Sequence, residues 1–166
     1  FVTDHVVIPV EIESAYPYSA NGRVAGDWKE GYLEPLPLMA HLAALTKRIR
    51  IGTSVLIIPY RNPVVTAKML ATMDVLSGGR IILGAGVGWM EEEFRTLGAS
   101  FPDRGRRLDD WLDLVGDLLQ QAPGRVLADG PVPIEDAWLA PGPTRPEGLE
   151  LWVAGVSRHT LRRAAR

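Results

Sequence analysis

The sequence has no cysteine. Disulfides, thiolate zinc sites and cysteine nucleophiles are therefore excluded together, and a cytoplasmic location is expected. No apolar run approaches the roughly 20 residues that a membrane-spanning helix needs, so no membrane partner is expected. No charged-then-apolar leader precedes a cleavage site. Charge of one sign is also lacking: 18 Lys and Arg face 20 Asp and Glu, for a net charge of −2. The basic residues are dispersed, which argues against the concentrated basic face of a nucleic-acid binder. There is no Walker loop, no His-x-x-x-His pair and no Ser-His-Asp arrangement, so no metal site is expected. Short-period repeats and low-complexity tracts are absent as well.

What remains is an ordinary globular composition in 166 residues, enough for one domain, residues 1–166, with a buried core. Phe1 to His5 reads as a strand already in progress. Leu161 to Arg166 stops inside a helix, so the chain reads as truncated at both ends. Val6 to Gly31 carries Pro9, Pro17, Asn21, Gly22, Gly26 and Gly31 without helical periodicity, and is expected to be a long functional or disordered loop.

Glu34 to Lys47 reads as a helix with Pro35 and Pro37 in its first turn and Leu38, Met39, Leu42 and Leu45 on one apolar face. Arg50 to Ile58 is a nearly continuous apolar run, the pattern of a strand buried on both faces. Asn62 can cap the next helix, with Pro63 at its first position. That helix is expected to bury Val65, Met69 and Met73 and to stop at Ser77-Gly78-Gly79. Arg80 to Gly86 is a second buried strand, and the unit is a right-handed parallel βαβ crossover.

A short helix is expected around Met90 to Leu97. A long one runs from about Asp103 to Gln121, where Leu108, Trp111, Leu112, Val115, Leu118 and Leu119 keep helical spacing. Ala122 to Glu147 reads as irregular, with a short hairpin near Val126 to Trp138. Leu149 to Ala154 is a further buried strand, and Ser157 can cap the last helix. About four parallel strands with outer helices define an α/β fold.

In parallel α/β folds, ligands bind at the carboxyl ends of the strands. Four clusters lie there. In Asp4-His5, alternation lets only one side chain point directly inward. His5 can exchange protons near neutral pH, or it can simply cap the strand end. Thr53 and Ser54 are hydroxyls in an apolar strand beside Gly52. Their partner is either a neighbouring carbonyl or a ligand.

Gly84-x-Gly86-x-Gly88 departs from the dinucleotide fingerprint, and its glycines leave room above a strand end for a flat ligand. Glu91, Glu92 and Glu93 read as a solvated helix face. Gly155-Val156-Ser157 opens a helix, and it suits a phosphate or an ordinary cap. His41 and His159 lie on helices and carry little functional weight.

Five segments recur in order: Val2-Thr3-Asp4-His5, Ile51-Gly52-Thr53-Ser54-Val55, Tyr60-Arg61-Asn62-Pro63, Leu76-Ser77-Gly78-Gly79-Arg80 and Leu83-Gly84-Ala85-Gly86-Val87-Gly88-Trp89. Together they resemble the luciferase-like monooxygenase superfamily, especially its branch of deazaflavin (coenzyme F420)-dependent oxidoreductases. The resemblance implies a partial TIM (β/α)8-type barrel, whose complete form has eight strands in about 250 residues. The four strands here match the second to the fifth.

It further implies Asp4 and His5 at the cofactor ring, with His5 catalytic as proton donor or base. Thr53, Ser54 and Val55 would lie against the ring face, with a non-prolyl cis peptide at Ser54-Val55. Gly86 and Gly88 would border the ring's other side. Ala154, Gly155, Val156 and Ser157 would meet the ribityl or phosphate portion. The implied activity is hydride transfer between reduced F420 and a small organic substrate. An FMN-dependent monooxygenase using molecular oxygen and a non-catalytic barrel fragment are the alternatives. A homodimer is implied for a full-length protein, and weak cofactor binding for the isolated chain.

Overall fold

Short apolar runs between capped helices build a four-position parallel sheet with helices on its outer face. The computed structural model describes residues 1–24 and 31–165. Gly26 of the expected long loop lies outside the described residues. The order is α1 (Pro35–Leu45), β1 (Ile51–Gly52), β2 (Leu56–Ile57), α2 (Pro63–Ser77), β3 (Ile81–Gly86), α3 (Glu91–Thr96), α4 (Arg104–Gln121), β4 (Gly124–Ala128), β5 (Ile134–Leu139), β6 (Glu150–Val153) and α5 (Arg158–Ala164), with a 3-10 turn at Ile58–Tyr60 between β2 and α2.

β3 is the central strand. It pairs in parallel with β1 and β2 on one side and with β6 on the other. The N-terminal segment adds one parallel bridge, Val2 to Thr53, held by Val2 N–H on Gly52 O (2.9 Å) and Ser54 N–H on Val2 O (2.7 Å). The expected first strand is thus reduced to a single bridge.

The expected continuous strand from Arg50 to Ile58 is broken in the middle. Gly52 lies opposite Ile82 and Leu56 opposite Ala85, so this strand carries one residue more than its partner. That is a bulge, which re-aims side chains at a strand end. The Ser54-Val55 peptide within it is cis. The bulge needs the glycines opposite. A Cβ on Gly84 would lie 2.0 Å from Thr53 O, and one on Gly86 would lie 2.2 Å from a Val55 methyl.

The helices cover the outer face. Asn62 Oδ1 accepts from Val64 and Val65 N–H, and Gly78 ends α2 at φ 67°, the left-handed cap that glycine takes without penalty. Arg80 ties α2's end to α1. Its guanidinium donates to the carbonyls of Ala43, Thr46, Ile49 and Ser77, closing off acceptors that α1 leaves open at its C-terminus. The core joins Leu36 and Met39 of α1, Leu70 and Met73 of α2, Ile81, Leu83 and Ala85 of β3, and Leu108, Trp111, Val115 and Leu118 of α4.

Three expected faces shift. Leu45 and Val65 are exposed, because α1 and α2 turn Leu36, Met39, Ala43, Ala67, Leu70 and Ala71 to the sheet instead. β6 is not buried on both faces, since Leu151 and Trp152 are each about half exposed. The hairpin is present as β4 and β5, paired antiparallel with an irregularity between Val126 and Ala128.

Candidate functional site

The carboxyl ends of the four strand positions open into one cleft of about 880 Å³, a size typical of small-molecule sites. Its walls come from Asp4 and His5, from Ser54 and Val55, from Gly86, Val87, Gly88 and Trp89, and from Ala154, Gly155 and Val156. Tyr16 and Tyr18 from the long loop and Tyr32 just after it close one side, and Phe101 and Arg104 another. Four separately read clusters thus meet in one cleft. Thr53 and Ser157 are not among the lining residues. Thr53 Oγ1 donates to Gly84 O (2.8 Å) and accepts from Gly84 N–H (3.0 Å). Ser157 Oγ accepts from Thr160 N–H and serves as the cap of α5.

Asp4 is 3 % exposed, and both of its oxygens are occupied. Ile57 N–H donates to Oδ2 at 2.8 Å, and Arg61 donates to Oδ1 at 2.6 Å and Oδ2 at 3.3 Å. Burial pushes the Asp4 carboxyl above its ordinary range, while Arg61 pulls the other way. Arg61 also pairs with Glu34 at 2.7 Å, and its carbonyl accepts from the Trp111 indole. Through Arg61, Asp4 therefore joins the N-terminal strand position to the start of α2 and to the middle of α4.

His5 takes the other direction. Its Nδ1 lies 2.8 Å from Glu93 Oε2, and its ring meets Trp89 and Tyr32 edge-on, with centroids 6.2 and 5.9 Å apart. Glu93 is buried, with a side chain 1 % exposed. Its other oxygen accepts from Val6 N–H (2.7 Å) and Val7 N–H (3.4 Å).

Glu92 repeats the pattern one residue away, with Oε1 accepting from Glu13 N–H (2.7 Å) and Ser14 N–H (2.9 Å). Burial opposes its ionisation, yet these donors and Ser14 hold its carboxyl at about 2. Ser14 Oγ in turn accepts from Glu91 N–H, so the loop caps α3 while α3 holds the loop. The expectation of a solvated acidic face is thus corrected for Glu92 and Glu93. Their neighbours are amides from nearly 80 residues earlier or more, which no local pattern reveals.

Gly86 and Gly88 line the cleft, but the room their missing side chains leave is used by the protein itself. A Cβ on Gly88, at φ 79°, would lie 2.6 Å from the Phe94 ring. Arg104 stacks over Phe101 at 3.7 Å and donates to Gly88 O and Phe101 O, and burial lowers its guanidinium. Among the described residues no group of three or more metal-ligating side chains is assembled, and no helix is long and apolar enough to cross a membrane.

A family model described as luciferase-like monooxygenase matches residues 16–166. An uncharacterized protein of Mycobacterium tuberculosis is 31% identical over 165 residues, 99% of this chain and 56% of its own length. The 4-hydroxyprotoasukamycin monooxygenase of Streptomyces nodosus subsp. asukaensis is 34% identical over 122 residues, covering 74% of this chain and 33% of its own. This chain thus spans about half, or less, of the length of the relatives it matches.

Among solved structures, the coenzyme F420-dependent tetrahydromethanopterin reductase of Methanopyrus kandleri aligns with a TM-score of 0.67 at 21% identity, over 80% of this chain and 42% of that one. The oxygenating constituent of 3,6-diketocamphane monooxygenase from Pseudomonas putida, in complex with FMN, aligns with a TM-score of 0.64 at 22% identity, over 81% and 40%. These likenesses establish the fold, a part of a luciferase-like TIM-type barrel. With the match over most of its length, the chain belongs to the luciferase-like monooxygenase family.

Proposed function

We propose that the protein is a deazaflavin-dependent oxidoreductase that transfers a hydride between reduced F420 and a small organic substrate. The observation that carries this reading is the meeting of His5, Ser54-Val55 and Gly86/Gly88 at one set of parallel strand ends, where this fold class places its ligands. The residues fit a flavin-type ring. Gly86, Gly88, Ala154 and Gly155 give the cleft smooth walls, and Val55, Tyr16, Tyr18 and Trp89 give it apolar and aromatic ones.

Such a cofactor supplies the hydride chemistry when bound. The chain's own residues bind, orient and exclude water. Ser54, Val55, Gly86 and Gly88 would contact the ring. Asp4 shapes the wall through Arg61 rather than by offering a free carboxylate. Ala154, Gly155 and Val156 would meet the polar tail, while the Thr53 hydroxyl braces β3 at Gly84 and the Ser157 hydroxyl caps α5 behind that segment. His5, held by Glu93, would move a proton at its ring nitrogen beside the reacting centre.

A second reading keeps the cleft but uses FMN and oxygen. It is favoured by the 34% identical monooxygenase. Titration of the intact protein with F420 and with FMN separates the two, read by quenching of cofactor fluorescence. Saturable micromolar binding of F420 with much weaker FMN binding is expected. The reverse order would select the FMN reading, and no binding of either would remove both.

A further inference from the structure

We infer that Glu93 is a positioning residue that fixes which ring nitrogen of His5 carries the proton, placing it on Nδ1. In describing His5 as the group beside the cofactor, this rests on the proposed function; the tautomer itself does not.

The inference follows from counting donors around one carboxylate. Glu93 Oε1 faces two backbone amides, Val6 at 2.7 Å and Val7 at 3.4 Å. Each can only donate. Glu93 Oε2 faces His5 Nδ1 at 2.8 Å. At the alkaline pH of a tautomer measurement a carboxylate has no hydrogen to give, so the hydrogen in that contact belongs to Nδ1. The carboxylate cannot easily swing away, because the two amides hold its other oxygen and the side chain is 1 % exposed. Trp89 and Tyr32 meet the imidazole edge-on, which limits rotation of the ring. A hydrogen bond to a charged acceptor is strong enough for at least about a tenfold preference between tautomers.

The consequence bears on chemistry. A neutral imidazole protonated at Nδ1 carries its lone pair on Nε2. His5 is then an acceptor at Nε2, and it can give a proton from that atom only after gaining one. This separates the two roles, donor and base, that its position leaves open. It also gives the acidic run in α3 two distinct tasks: Glu92 holds the loop at Glu13 and Ser14, and Glu93 directs His5. Carboxylates in this relation to histidine commonly set ring orientation and tautomer.

The test is the ¹⁵N spectrum of the intact protein, labelled at its histidines, at alkaline pH, with His5 assigned through His5→Gln. The wild type is expected to show an Nδ1–H, Nε2-acceptor ring by at least about tenfold. Glu93→Gln is isosteric but has one oxygen. The Val6 and Val7 amides need that oxygen, which leaves the NH2 facing Nδ1, so the ratio should invert to Nε2–H. Glu92→Gln should loosen the loop without changing the tautomer.

A wild-type Nε2–H ring overturns the inference. So does an unchanged ring in Glu93→Gln, or an inversion produced by Glu92→Gln alone, which would make Glu93 a mere loop anchor. Should Glu93→Gln not fold, the wild-type tautomer decides. Failure of both F420 and FMN to bind would remove the proposed function and leave this result standing.

Discussion

Asp4 and Arg61 form a buried pair in which each charge answers a need of the other. The Asp4 carboxylate receives Ile57 N–H and two guanidinium nitrogens, and the Arg61 side chain is only 14 % exposed. Breaking one half of such a pair leaves the other charge buried and uncompensated, at a cost of about 3–5 kcal/mol. Arg61→Ala is therefore expected to lower the urea-unfolding free energy by about that amount. Arg61→Lys should recover only part, because an ammonium cannot bracket both carboxylate oxygens. A loss below about 1 kcal/mol in Arg61→Ala would mean that water enters the pair. The placement of Asp4 and His5 just past a strand position, reduced here to the single Val2 bridge, was legible in sequence through the apolar run before them. Their partners were not. Arg61 and Glu93 lie 57 and 88 residues away, and nothing local to either position records that distance.

The element that most changes the picture is α3, six residues long. A helix that short gains little from its own hydrogen bonds. It persists because Ser14 caps Glu91 N–H and Phe94 is fully buried. The long loop depends on it in return, since Glu13 and Ser14 donate to Glu92. This makes the pair pH-sensitive in a defined direction. The Glu92 carboxyl is held at about 2, below its reference value of 4.5. A lowered carboxyl contributes stability that is fully present above 4.5 and lost as pH falls through about 2. Glu92→Gln should destabilise the protein by about 1–2 kcal/mol at neutral pH, measured by urea unfolding. The gap from wild type should close as pH falls from 4.5 towards 2, and a gap that stays constant over that window would show that ionisation is not what holds the loop. Helix existence was readable from spacing and caps, as Asn62, Gly78 and Ser157 show. Facing was less so. In α1 both Leu45 and Leu36 are leucines on a helix rich in apolar residues, and only the sheet decides that Leu36 goes in and Leu45 out.

At the scale of the molecule, the strand order is that of a barrel arc, with the Val2 bridge, β1 and β2, β3, and β6 side by side. Among the described residues β6 has one partner, β3, so one line of its backbone groups has no strand beside it. Apolar side chains gather nearby. Leu151 and Trp152 are about half exposed, and Val156 is 91 % exposed. Phe1, 70 % exposed, stacks on Trp152 at 5.3 Å. The parallel βαβ unit and the helices outside it were legible because period, caps and breakers agreed over that stretch. The exposure of β6 was not, because Glu-Leu-Trp-Val has the same apolar content whether or not another strand lies beside it. An open edge bordered by apolar groups recruits further chains. A protein of residues 1–166 alone is therefore expected to self-associate with rising concentration, seen as increasing sedimentation coefficients. A lysine at the edge is the device that natural sheets use against this, so Leu151→Lys should shift the same chain towards monomer while leaving its α-helical circular dichroism unchanged. If both proteins sediment as monomers throughout, the open edge of β6 does not recruit further chains in solution.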